Sequence, residues 1–352
     1  MSKRILFFLC FLLALPPSLA TAEEALPLEK TILQQHLTQL ELERNLQLLK
    51  LDESKLNRDL AELELEAKKQ ELTISSKRKH AGKVARAYYM GKRNDLLTLL
   101  FSADDFNQVL TSARLLEIIF TSDMKKLESF QLELARANDL SLQKQSQLKK
   151  IRELRQMYEK RLADMIAIKL LKEENLQKLP DSSSVEALME NLIKDWRSRG
   201  LPVFQDFFGV LARVMQDLPQ LITPDHIQSE GLFTHKLTIT EEEFNKFLLS
   251  KDPIFQHAYF SFDHNQLEVV GNYNQVNLKI IGSYEVVSPT ELRFHINKLM
   301  FDGYELPDST AEEMAKEYNL SFYPALINPN IHVQEATLDE HKLQIKVKFN
   351  IL

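Results

Sequence analysis

The chain has 352 residues, 44 of them basic and 50 acidic, for a net charge of −6. An acidic balance argues against non-specific nucleic-acid binding, which needs a basic footprint. A single cysteine allows no intrachain disulfide and no thiolate metal cluster.

Lys3 and Arg4 precede an apolar run of 11 residues, Ile5 to Leu15, too short to span a bilayer as a helix. Pro16 and Pro17 end the run, and Ala20-Thr21-Ala22 fits the small-x-small rule for signal cleavage. The pattern predicts a signal peptide over residues 1–22. The rest would be exported, soluble, and periplasmic or otherwise extracytoplasmic. Leu9 stands where a lipoprotein signal needs a small residue before Cys10, so no lipid anchor is expected.

From Leu28 to Leu179 there is no proline and there are two glycines. Proline costs a helix interior about 3 kcal/mol, so this tract predicts long helices. Leu42, Leu46, Leu49, Leu56, Leu60, Leu63, Ala67 and Ile74 alternate by four and three, with Glu53 and Gln70 interrupting. That period is a coiled-coil seam. Leu33, Leu37 and Leu40 follow a shifted register, which predicts local unwinding. A second, less regular series runs through Leu127, Phe130, Leu134, Ala137, Leu148, Ile151, Leu154, Tyr158, Leu162 and Met165. The preferred arrangement over 23–180 is an antiparallel hairpin, its limbs about 100 Å long at 1.5 Å per residue. A parallel homodimer remains open.

Between the limbs, residues 80–123 have the character of a helical tip. Gly91 and Asn94 suit a helix stop, and Ser102 to Asp105 suits a start. Seven basic residues from Lys77 to Arg93 have no acid among them. They suit an acidic partner or phospholipid head groups, or form a solvated helix face. Arg86-Ala87-Tyr88, Gly91, Leu96, Leu99-Leu100, Asp104-Asp105, Arg114 and Asp123 (read as the start of the return helix) make this region resemble the coiled coil of murein hydrolase activators and cell-separation proteins, the EnvC/PcsB-like group. The resemblance implies docking on a cell-division ABC-transporter-like membrane complex, with Arg86, Tyr88, Gly91 and Arg114 as the docking candidates. It also implies a C-terminal zinc peptidase, and here the chain departs from the group. The nine histidines form neither His-x-His nor His-Glu-x-x-His. The expectation is therefore a non-enzymatic adaptor with no cofactor, no metal and no catalytic residue.

Beyond Pro180 the composition changes to that of a globular domain, with 13 Phe, six Tyr and Trp196. Residues 181–230 read as a helical connector, with an apolar stripe from Val185 to Trp196 and a wide apolar face from Leu201 to Ile222. That face suits packing on its own domain or lying on a membrane. From Gly231 the period turns to two, through Leu237/Ile239, Leu267/Val269, Val276/Leu278/Ile280, Leu292/Phe294/Ile296 and Leu343 to Phe349. Capping boxes at Thr240–Glu243 and Ser309–Glu312 add two helices. The fold class is thus a helical hairpin followed by an antiparallel-sheet α+β domain over 231–352.

The series from Leu237 to Asn245, the later strands, and Gly303-Tyr-Glu-Leu-Pro307 resemble LmeA/YpmS-like extracytoplasmic proteins with tubular, TULIP-like lipid-binding domains. The resemblance implies a curved sheet around a helix and an apolar groove for acyl chains. Phe244, Phe247, Leu248, Phe255, Phe294 and Leu299 are the groove candidates, or plain core. Asp302, Glu305 and Asp308 sit in a turn-and-cap setting where acids are ordinary. An extracytoplasmic lipid carrier, using its coiled coil only for dimerisation or reach, is the alternative to the adaptor.

Overall fold

The computed structural model describes residues 27–103 and 105–349. The predicted signal segment with Cys10, and Asp104 of the tip, lie outside the described residues. The fold is a long antiparallel helical hairpin followed by an α+β domain. The chain divides into two compact units: one is Leu40–Ala167, the other combines the residues up to Gln39 with those from Ile168 onward.

Within Leu40–Ala167, helix α1 (Leu28–Tyr89) and helix α3 (Phe106–Gln177) form the limbs, joined through the short helix α2 (Asn94–Phe101). Cross-limb bonds fix the antiparallel register. Arg155 Nε reaches Glu53 Oε1 at 2.7 Å, Lys144 Nζ reaches Glu64 at 2.8 Å, and Gln70 Nε2 donates to Glu133 Oε2 at 2.8 Å. The polar residues that interrupt the leucine series are therefore register pins. The return seam looked irregular for a related reason. Gln147 and Arg161 are buried in it, with Leu148 and Leu162 only half-buried beside them, and Gln147 Nε2 donates to the Leu56 carbonyl oxygen at 3.2 Å. Asp123 does not begin the return helix. That helix starts at Phe106, where Asp105 Oδ1 accepts the Gln108 N–H at 2.8 Å.

In the other unit, Leu33 and Leu37 belong to a globular core rather than to an unwound coiled coil. Leu37 joins the main apolar core, while Ile32 and Leu33 pack with Val185 and Met189 of helix α4 (Ser183–Asp195). Their shifted spacing reflects a different packing partner. Helix α4 continues through a π-helical turn at Trp196–Gly200 into helix α5 (Leu201–Met215). A Cβ on Gly200 would stand 2.4 Å from the Trp196 ring and 2.8 Å from the Phe301 ring, so only glycine permits this approach.

Among the described residues nine strands follow: β1 (Ile227–Ser229), β2 (Thr234–Thr240), β3 (Ala258–Asp263), β4 (Gln266–Tyr273), β5 (Val276–Ser288), β6 (Glu291–Phe301), β7 (Tyr304–Glu305), β8 (Ile331–Asp339) and β9 (Lys342–Phe349). They form two antiparallel sheets, β1-β2-β9-β8 and the meander β3-β4-β5-β6-β7. Helix α6 (Glu241–Lys251) opens on the predicted capping box: the Thr240 N–H donates to Glu243 Oε2 at 2.9 Å, and the Glu243 N–H donates to Thr240 Oγ1 at 3.3 Å. The second predicted box is absent. Helix α7 (Asp308–Glu317) begins directly after Pro307, which leaves Ser309 inside the helix, buried, with no hydrogen-bond partner for its hydroxyl.

Both edges of the five-stranded sheet are closed by amide side chains. On β7, the Glu305 N–H donates to Gln34 Oε1 at 2.8 Å, and Gln34 Nε2 donates back to the Glu305 carbonyl oxygen. On β3, the Phe260 N–H donates to Asn245 Oδ1 at 2.9 Å, and Asn245 Nδ2 returns a bond to the Phe260 carbonyl oxygen at 2.7 Å. Each amide stands in for one residue of a neighbouring strand and blunts an edge that would otherwise invite pairing.

Candidate functional site

Helix α1 ends because Gly91 adopts φ +73 and turns the chain. Asn94 starts helix α2 instead of ending α1, and its N–H donates to the Gly91 carbonyl oxygen at 2.8 Å. The turn is held against α3 by a buried ion pair, Arg93 Nη2 to Asp123 Oδ2 at 2.6 Å, with Lys126 Nζ 3.6 Å from the other oxygen. The Arg93 guanidinium also lies 6.0 Å from the Tyr88 ring, which packs 6.3 Å from Phe120. Two of the four docking candidates, Tyr88 and Gly91, therefore build the turn. Arg86 is exposed in the last turn of α1.

Arg114 sits elsewhere. It lines a groove of about 940 Å3 with Lys77 and His80 of α1 and Glu117, Ile118 and Lys125 of α3. The tip also exposes large apolar side chains: Tyr89 is 93% exposed, Phe101 89% and Phe106 75%. Large apolar side chains left this exposed are the raw material of an interaction site. Residues 77–126 hold ten basic and five acidic residues, net +5, in a chain of net −6. The tip is thus a basic, apolar patch on an otherwise acidic protein. The Lys77–Arg93 run signalled the charge in the sequence. The contribution of Lys125 and the exposure of Phe101 and Phe106 carried no local signal, because both depend on how α3 returns past α1.

The six groove candidates of the globular unit are all buried in one closed core. Helix α5 supplies Phe204, Phe207, Phe208 and Leu211 to the space an acyl chain would need. The interior void beside Phe244 and Phe294 is about 10 Å3, at the lower limit for one water. Phe255 also borders a surface cleft of about 780 Å3 beside Leu249, Tyr259 and Val270, while the wide face of α5 is buried in the core.

A cluster of ionisable groups joins the two sheets. Buried Glu241 accepts from the Tyr259 hydroxyl at 2.6 Å and from the Phe262 N–H at 2.8 Å, with His341 Nδ1 at 3.2 Å. Burial pushes the Glu241 carboxyl up, but the bonds from Tyr259, Phe262 and His341 outweigh it and hold the group below its ordinary 4.5. Both carboxylate oxygens are engaged, which makes this a structural lock on β3. A depressed carboxyl contributes stability that is present above its unfolded pKa and lost as pH falls through the folded value. Glu241→Gln is therefore expected to cost about 1–3 kcal/mol at pH 7. It should also flatten the fall of the urea midpoint below about pH 5. An unchanged acid limb in the variant would remove Glu241 as its source.

Asp302 turns the β6–β7 connection at φ +47 and accepts the Asn277 N–H at 2.8 Å, a turn role. Among the described residues there is no cluster of metal-ligating side chains, and no helix is long and apolar enough to cross a membrane. No protein-family model matches this chain, and no curated protein matches it.

Proposed function

We propose that this protein is an exported, non-enzymatic adaptor of the bacterial envelope whose hairpin tip docks on a membrane-protein partner. The partner class is the cell-division ABC-transporter-like complex implied by the resemblance of the tip, and the globular unit binds a lipid or a second protein. The observation that carries this reading is the coincidence, at one end of the hairpin, of excess positive charge with exposed Tyr89, Phe101 and Phe106. Helix α1 alone, at 62 residues, is about 93 Å long at 1.5 Å per residue, which suits a reach between envelope components. The closed interior favours the adaptor over the lipid carrier. An acyl chain binds by burying methylenes, each worth about 0.8 kcal/mol, and in this conformation α5 already occupies that space.

The test is site-specific photocrosslinking from position 101 in intact cells. The expected result is a crosslink to an integral membrane protein. Phe106→Asp should lower its yield about tenfold, the effect of roughly 1.4 kcal/mol of lost binding. A probe at exposed Leu326 of the globular unit is the control. The same crosslinks from both positions, or none from 101, would overturn tip docking.

A further inference from the structure

We propose that the groove beside Arg114 binds an acidic amphipathic helix of the docking partner. This rests on the docking reading above and names the chemistry of the segment recognised. The groove is a trough between two limbs, with Lys77 and His80 on one wall and Arg114, Ile118 and Lys125 on the other. Its one carboxylate is Glu117. Lys126 also lines the groove and is committed in part to Asp123. Arg114 and Lys125 make no ion pair among the described residues, so their charge is available to a ligand.

The spacing specifies the shape of that ligand. Arg114, Ile118, Thr121 and Lys125 repeat by four, three and four, and so share one face of α3. Arg114 and Lys125 are 11 residues apart, about 16 Å along the helix axis. Between them stands Ile118, 60% exposed, with Leu115 at 55% one turn away. A helix laid along this face meets a cation, an aliphatic stretch and a second cation. Its complement carries carboxylates about three turns apart with leucine-type side chains between them, the helix-in-groove mode of recognition. Charge complementarity excludes a basic segment. A flat anionic bilayer fits less well, because the groove is recessed between two helices and Asp105, directly before α3, is exposed.

Fluorescence anisotropy of the full-length protein tests this with two labelled peptides of about 18 residues, five turns of helix. One alternates Leu and Glu faces, and the other replaces each Glu by Lys. The Glu peptide should bind at least about tenfold more tightly. The gap should shrink in about 0.5 M salt, as screening requires. The pair Arg114→Glu and Lys125→Glu should abolish the preference at unchanged helicity and urea midpoint. Ile118→Asp, at an exposed position, should weaken the Glu peptide without reversing the preference.

Equal affinity for the two peptides would overturn the proposal. So would binding to phosphatidylglycerol vesicles with no binding of the Glu peptide, an outcome that assigns the groove to lipid head groups. If the crosslink from position 101 survives both charge reversals, the groove inference fails while tip docking stands. If no crosslink forms even in the wild type, tip docking itself fails.

Discussion

Phe207→Ala is expected to destabilise the globular unit by about 3–5 kcal/mol, a large share of the 5–15 kcal/mol typical of a domain. Phe207 is fully buried on α5, its ring 5.8 Å from Phe255, 6.1 Å from Phe260 and 6.1 Å from Phe208. Those partners come from a helix, a turn and an edge strand. The strand is further held by Asn245 and Glu241. Anchored walls relax little, so truncation leaves a cavity, and the cavity cost adds to the lost transfer energy. Trp196, the single tryptophan, is buried in the same core and reports unfolding in urea. The cavity is lined by aromatic rings, so a small apolar solute such as benzene should recover part of the loss by filling it. A cost below about 1 kcal/mol, the range of a surface change, would mean that α5 is not the centre of this core.

Asp123→Ala should act on the other unit, destabilising the tip by about 3 kcal/mol because it leaves a partly buried guanidinium without its partner. The Asp123 side chain is 2% exposed and that of Arg93 23%. Arg93 also covers the Tyr88 ring, so loss of the pair should loosen the Tyr88–Phe120 contact as well. Hydrogen exchange reads this directly. Amides of residues 84–126 should lose protection, while those of the β3–β7 sheet should not change. Arg93→Ala should cost less, because it leaves a carboxylate that Lys126 partly neutralises. The double variant should cost less than the two single changes together. Uniform loss of protection across both units would contradict a lock local to the tip.

Where the sequence was informative, the interactions were local or periodic. The Thr240–Glu243 box joins residues three apart, and its hydrogen bonds form as read. Leu42, Leu46 and Leu49 are buried on the spacing that marked them. The Ser309 box failed although its letters fit, because Pro307 fixes its own φ and the helix starts one residue before the supposed cap. Leu33 and Leu37 showed their departure from the arm register, but not that a globular core receives them. Gln34 and Asn245 gave no sign of their roles. Their partners lie 271 and 15 residues away, and an amide that mimics a strand residue has no motif.

The six groove candidates make the same point about the site. Periodicity identified Phe294, in its strand, as inward-facing, and the capping box marked the helix that carries Phe244; both are buried. Neither signal carried information on whether a ligand or another part of the chain meets them, and α5 does. At the tip, the basic run from Lys77 to Arg93 was legible in the sequence, while its pairing with Arg114 and Lys125 across the limbs was not.

By itself, then, the sequence determined the long helices, the strand periods, the turn at Gly91 and the absence of zinc-ligand spacing. All of these depend on residues within a few positions of one another. Only the tertiary structure decided that Tyr88 and Asp123 hold the turn, that Arg114 opens on a basic groove, and that α5 fills the domain interior. Each of these depends on which distant surface a side chain meets. Burial energy scales with the area removed from water and does not depend on what covers it, so an apolar pattern leaves the covering partner unspecified.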